Sequence, residues 1–403
     1  MTPQQRGLAQ EQLIRTQLAL EDGFYKIAMD CKQPAVVLCD RGILDSKAYV
    51  DEEVWDEMME TNDWHLSQIR DKRYDLVIHL VTAAIGAVPF YTTANNSART
   101  ESLEQAAALD DKLKLAWLGA SNVRVVDNLP GHQFQQKIDR AIAIICKLVG
   151  IPGPSGTRRY FLVSLDIDHE KKRKRMIQEG HTPGEQAEEL GEPDNKQDNT
   201  VDDEFDRLGV QFEKFTLEYT FLADSTKRVQ RRGKKDAAYL YHYVERTHVV
   251  DDQSGTRQRV ERRHKITARE YAVLRGQRHK GSEVLVKTRR VFLWKNHYFE
   301  YDCINAPARH KRLQLLAVEV DDPASRVQFP PFLKFISEVT GDRSYYSEFL
   351  CKQPVYEESG SSEEGSADSE AADANAAPGS GTGSTLGVDF KAAAAARRVQ
   401  QPH

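Results

Sequence analysis

No apolar run in this 403-residue chain approaches the ~20 residues that cross a bilayer, and Met1 to Gln10 is polar. Neither a transmembrane helix nor a secretory leader is expected. The five cysteines, Cys31, Cys39, Cys146, Cys303 and Cys351, form no Cys-x-x-Cys pair, and no His cluster stands at zinc spacing. That excludes a metal-stapled fold and fits reduced thiols in a cytoplasmic protein, with peripheral contact at membranes left open. A phosphate-cradling loop of the form G-x-x-x-x-G-K-S/T is also missing. The nearest approach, Gly276 to Gly281, has no Lys after its second glycine and lies among basic strands.

What is present is an ordinary globular composition, 40% hydrophobic and 29% charged, long enough for two or three domains. The net charge of -5 conceals an asymmetry. From Lys227 to Arg312 there are 23 Lys and Arg against 9 Asp and Glu, so this stretch calls for an anionic partner.

Helical periodicity opens the chain, with Leu13, Ile14, Leu18, Phe24, Ile27 and Ala28 on one face. "AVVLC" (35–39), "DLVIHLV" (75–81) and "VRVVDN" (123–128) read as strands covered on both faces. Helices separate them, one opened by a Ser102–Gln105 capping box and another over 132–149. Residues 1–150 are therefore expected to form an open parallel α/β domain. A Gly/Pro/Ser linker follows at 151–157. Beyond it, alternating aromatic and charged strands predict a mostly antiparallel sheet or barrel over 158–345, with an acidic insertion loop at 181–209. The Ser, Gly and Ala-rich tail from 357 to 403 is expected to be disordered.

In an open α/β sheet, ligands sit at the C-terminal strand ends. "CDRG" places Asp40 there, where a carboxylate holds Mg²⁺ or takes a proton from an attacking hydroxyl, and Arg41, suited to clamping phosphoryl oxygens. Arg99, on a loop before a helix, stands where a lid arginine would. The bland alternative is that Asp40 caps the next helix and Arg41 pairs with a nearby acid. Together, "VVLCDRGILDSKAY", "RYDLVIHLVTAAIGAVPFY", "ARTESLEQAAALDDKLKLAWLG" and "VVDN" resemble the NadR/TRPL-translocation-defect type of P-loop domain, related to small nucleoside kinases. The resemblance covers about residues 9–150. It implies a GTP or ATP site with Asp127 and Asn128 at its base end. It also implies a first strand and phosphate loop ahead of the opening helix, which this sequence does not show.

Same-face charges recur in the basic strands: Arg228 and Arg232 flanking Gln230; Glu261, Arg263 and Lys265; Lys287 and Arg289; Glu300 and Asp302; and Glu319. Cations from several strands with acids interspersed suit a lumen that binds polyphosphate and a divalent cation. The alternative is a solvated outer face paired across strands. This region resembles the CYTH, or triphosphate-tunnel, fold over roughly 158–342. That resemblance implies Mg²⁺ or Mn²⁺ held by acids such as Glu218, Glu300, Asp302 and Glu319. It also implies a Glu-x-Glu-x-Lys strand, where this chain has Asp166, Asp168 and Glu170.

The leading expectation is a nucleotide- and anion-binding regulatory protein. Its partners would be GTP or ATP and an anionic lipid headgroup or polyphosphate, and the resemblance implies a role in membrane-protein trafficking. The alternatives are a nucleoside-type kinase or a metal-dependent triphosphatase. Nucleic acid is disfavoured, because the aromatics are expected to alternate onto the packed face away from the cations.

Overall fold

The computed structural model describes residues 2–31, 33, 35–92, 101–151, 157–165, 194–234, 238–250, 257–320 and 324–354. Arg99, Asp166, Asp168, the linker residues 152–156 and the tail from 357 lie outside them. Two compact units emerge, Met1–Ile14 with Arg41–Gln353, and Arg15–Asp40 with Pro354–His403.

The opening helix, α1 (Pro3–Asp30), forms as its periodicity predicts, yet Phe24 and Ile27 are exposed while Ile14 is fully buried. Ala35–Cys39, read from sequence as a buried strand, is not one. It has no strand partner among the described residues, and Val36, Val37 and Leu38 face solvent. A parallel strand persists only by bonding to neighbours. The described parallel sheet holds just β1 (Val77–Leu80) and β2 (Val123–Val126), which pair with each other. The helices of this part are α2 (Glu52–Thr61), α3 (Leu103–Ala116), whose Asp110 bonds His79 of β1, and α4 (Phe134–Val149), which packs against β2. The capping box at α3 is present, with Gln105 N donating to Ser102 Oγ and Ser102 N to Gln105 Oε1.

The second sheet has nine strands: β3 (Thr157–Leu165), β4 (Phe212–Phe221), β5 (Lys227–Gly233), β6 (Leu240–Val250), β7 (Arg257–Ile266), β8 (Leu285–Trp294), β9 (His297–Ala306), β10 (Gln314–Val320) and β11 (Leu333–Glu338). Their order is β11-β3-β10-β9-β8-β4-β5-β6-β7 and the described pairings are antiparallel. No closed barrel forms among the described residues, since β7 and β11 do not bond to each other. This corrects the barrel expectation.

Period-2 alternation gives the sheet two different faces. One carries Phe161, Phe292, Phe299, Tyr301, Leu316 and Val318, packed with Val201 and Phe205. Those last two belong to α5 (Asp194–Arg207), a helix where an insertion loop was expected. Their four-residue spacing is what drives it onto the sheet. Phe205 meets Phe332, Phe212 and Phe292 with ring centroids 4.7, 4.9 and 5.0 Å away. Beneath it Arg290 is fully buried, donating to Asp202 Oδ1 at 2.6 Å. On the same face, nearer β5, lies α6 (Ala268–Arg275), whose Tyr271 packs with Leu222 and Val229.

The opposite face is concave. β7 lies five strands from β9 in the sheet order, roughly 24 Å along a flat sheet. Arg263 on β7 nevertheless interacts electrostatically with Glu300 on β9, as does Arg228 on β5 with Tyr160 on β3. Only a strongly curled sheet brings those pairs together.

Candidate anion-binding face

Register places nearly all the singled-out strand residues on this concave face. Leu217 aligns with both Arg232 and Lys287, and Phe215 with Arg289. Arg289 aligns with Asp302, Ala317 with Glu300, and Glu319 with Arg158. Val244 aligns with Arg228 and Arg263, His242 with Gln230 and Lys265, and Arg246 with Glu261. Glu218 is the exception. One residue out of phase, it faces α6, accepting from Tyr271 Oη at 2.9 Å and Arg231 Nη2 at 2.6 Å and pairing with Arg275. It stands apart from the other three acids read as metal ligands.

Two charge networks run across the face. In the first, Arg228 donates to both oxygens of Glu261, at 3.1 and 3.0 Å, and Arg246 Nε to the same carboxylate at 3.0 Å. Arg246 also pairs with Glu348 of the short helix α7 (Ser347–Leu350). In the second, Asp302 accepts from Lys287 at 2.5 Å and from Arg289 at 2.6 and 2.7 Å, while Glu300 pairs with Arg289 and Arg158. Burial alone would raise the Glu300 carboxyl, but Arg158 and Arg289 outweigh it and hold it well below the usual carboxylate range. Tyr219 lies between the networks, with Arg228 and Lys287 centred 5.1 and 5.0 Å from its ring.

Among the described residues of these networks, six cations (Arg158, Arg228, Arg246, Arg263, Lys287, Arg289) meet four carboxylates (Glu261, Glu300, Asp302, Glu348). Arg263 is the least compensated. It approaches Glu261 only to 3.9 Å and keeps 43% of its side chain exposed. Desolvation, with Arg228 nearby, lowers its pKa, so a second anion beside it would be favoured. Three further polar atoms on the face, Arg228 Nε, Gln230 Oε1 and His242 Nδ1, are buried without a hydrogen-bond partner among the described residues.

Tyr160, Phe215, Tyr219, Phe221 and Tyr298 share this face with the cations, contrary to the expectation that aromatics pack opposite them. They are in large part buried, and several lie under guanidinium groups. Arg232, for instance, sits 3.9 Å from the Phe215 centroid.

One end of the concave face meets the α3–β2 turn. Leu118 packs with Phe215 and Val291, Arg232 donates to Ser121 Oγ at 2.7 Å and to Gly119 O, and Gly119 N donates to Tyr298 Oη at 3.3 Å. Gly119 has φ +84, and a Cβ there would come within 2.9 Å of Glu213, so only glycine suits this close approach. Glu319 pairs with Arg124 of β2 at 2.9 Å and Lys147 of α4 at 3.7 Å. Lys265 donates to Lys72 O at 2.6 Å and pairs with Asp75. A cavity of about 150 Å³ opens between β2 and strands β9, β10 and β3, lined by Arg124, Asp127, Arg158, Asn296, Glu300 and Glu319 among others.

Among the α/β residues singled out from sequence, Asp127 and Asn128 adjoin just after β2. Asp40 is exposed at a bend, and exposed Arg41, at φ 77, pairs with Asp45 at 3.9 Å. Asn128 holds the turn after β1, donating to Thr82 O at 2.8 Å and Ile85 O at 2.7 Å. Asp127 Oδ1 accepts from Asn128 N at 2.8 Å. His79 bonds Asp110 at 3.0 Å, a satisfied core histidine.

Among the described residues no group of three or more His, Cys, Asp and Glu side chains is placed to hold a metal ion. The carboxylates on the concave face are each engaged by cations, and the neighbouring pair Glu300 and Asp302 share Arg289. Arg158, Arg246, Tyr219 and His242 were not singled out from sequence. The signal for His242 and Arg246 was there, two residues either side of Val244 on an alternating strand.

His242 gives the face a measurable pH dependence. Desolvation, reinforced by Arg263, Lys265 and Arg232 and opposed by Asp75, lowers its pKa from 6.5 to about 4. Between those values the unfolded chain binds the extra proton, so stability falls as pH drops through that window. The expected loss is about 3 kcal/mol. Urea denaturation at pH 7 and pH 4 checks this, with His242→Phe expected to flatten that part of the profile.

A family model described as an AAA domain matches residues 2–134. No curated protein sequence matches the chain. Among solved structures the chain is similar to NE1496, described in one as a hypothetical protein and in another as an inorganic triphosphatase. Both are 16% identical with a TM-score of 0.27, covering 49% of this chain and 97% and 93% of theirs. PH1012 from Pyrococcus horikoshii OT3 is 16% identical over 30% of this chain and 71% of its own, at a TM-score of 0.20. Similarity at that level carries no functional conclusion. No helix among the described residues is long and apolar enough to cross a membrane.

Proposed function

We propose that the chain binds a polyphosphate-bearing anion on the concave face of its nine-stranded sheet. The observation that carries this reading is the convergence of Arg158, Arg228, Arg263, Lys287 and Arg289, from four different strands, around too few carboxylates. Guanidinium groups are suited to phosphate oxygens because their donors match them two at a time. GTP, ATP and a phosphoinositide headgroup all present that chemistry. A role in membrane-protein trafficking rests on the sequence resemblance alone. Binding is favoured over Mg²⁺- or Mn²⁺-dependent turnover, because Glu300 and Asp302 are each engaged by two cations that a metal would have to displace.

Isothermal titration of the full chain with tripolyphosphate, GTP, ATP and phosphoinositide vesicles tests the reading. At least one should bind saturably and more weakly as salt rises. Failure of all four to bind at low salt overturns it.

A further inference from the structure

The cations account for phosphates, but they do not account for the neutral pair set among them. Gln230 and His242 align across β5 and β6 on the concave face, with Lys265 next in register. Gln230 is 5% and His242 7% exposed, and neither Gln230 Oε1 nor His242 Nδ1 has a partner among the described residues. Arg228 Nε, also unpartnered, lies two residues along the same strand face. Buried polar atoms left unpaired are costly, so such a cluster marks a place where something else completes the bonds. An amide oxygen cannot be completed by a fully ionised polyphosphate, which offers acceptors only. It needs a donor.

We propose that Gln230 and His242 form an uncharged subsite for a hydroxyl or N–H group of a phosphorylated organic ligand whose phosphates lie against Arg228 and Arg263. The proposal rests on the anion-binding reading above and narrows it, from polyphosphates in general to phosphate esters carrying a hydrogen-bond donor near their phosphates. A phosphorylated polyol and a nucleotide both satisfy that chemistry. A neutral imidazole fits the role, because it offers one donor and one acceptor where an imidazolium would repel the flanking cations.

The test compares full-length wild type with Gln230→Leu, titrated with tripolyphosphate, inositol trisphosphate and GTP. Leucine keeps the volume and removes an unsatisfied polar group, so the fold should be retained or slightly strengthened. In wild type, at least one of the two hydroxylated ligands should bind more tightly than tripolyphosphate. In Gln230→Leu that ligand should lose about tenfold, the scale of a single hydrogen bond, while tripolyphosphate is unchanged. The ligand that responds identifies the polyol or the nucleotide. Equal losses for all three, or no loss for any, would overturn the subsite and assign those atoms to solvent while leaving the anion reading standing. Absence of binding to wild type by all three would remove the subsite, and the anion reading with it once ATP and phosphoinositide vesicles also fail to bind.

Discussion

Arg263→Ala is expected to weaken tripolyphosphate binding about 10- to 100-fold while leaving thermal stability almost unchanged. The two halves of that expectation have one origin. Arg263 lies on an edge strand, keeps 43% of its side chain exposed, and gains little from Glu261 at 3.9 Å. Its removal leaves no buried carboxylate stranded, because Glu261 retains Arg228 and Arg246. A phosphate oxygen on the concave face would lose a charge-assisted hydrogen bond worth about 1.5–3 kcal/mol. Arg289→Ala should behave differently, since it strips Asp302 and Glu300 of a shared partner and should cost stability as well. Titration calorimetry and thermal melts on both variants separate the two roles. Equal affinity for wild type and Arg263→Ala would place the anion elsewhere.

Phe205→Ala carries the largest expected effect on folding, a loss of about 3–5 kcal/mol in urea denaturation. Phe205 is fully buried where α5 crosses the sheet, with four aromatic rings around it: Phe212, Phe292, Tyr301 and Phe332. Alanine leaves a cavity that strands on both sides are too constrained to fill. The anion-binding face lies on the opposite side of the sheet, so affinity among molecules that remain folded should be unaltered. A change within about 0.5 kcal/mol, typical of surface positions, would mean that α5 does not pack as described.

The sheet was legible in the sequence because alternation is a strong signal when a strand separates charge from packing. Strands β3 to β11 fall almost wholly within 158–345, the stretch whose alternating aromatic and charged segments predict a mostly antiparallel sheet. The same-face pairs Lys287 with Arg289 and Glu300 with Asp302 follow directly from period 2. Closure was not legible, since whether two edge strands meet depends on curl and shear summed over nine strands. The phase of Glu218 was open to misreading for a simpler reason. A single glutamate among Thr, Leu and Tyr gives no second charge two residues away to fix its face.

Composition misled at α5. Its acidic, Gly/Pro-punctuated surroundings suggest a loop, and Val201 and Phe205 alone carry the helical register onto the core. At Ala35–Cys39 an apolar run looks like a strand wherever it occurs, but a strand is a relation between segments, and local sequence does not contain the partner. The same limit applies to Asp40 and Arg41, whose proposed chemistry was inferred from a strand end that is not formed. His242 and Gln230 were invisible as functional candidates because a neutral residue among cations looks incidental until its bonding is counted.

The most direct measurement is an NMR titration of the His242 ring in the full chain, with and without saturating tripolyphosphate. An anion seated beside Arg228 and Arg263 offsets the positive charge that helps hold this imidazole at about 4, so its pKa should rise by about one unit or more. An unchanged titration in the presence of bound tripolyphosphate would contradict the account, because the anion would then lie away from the concave face.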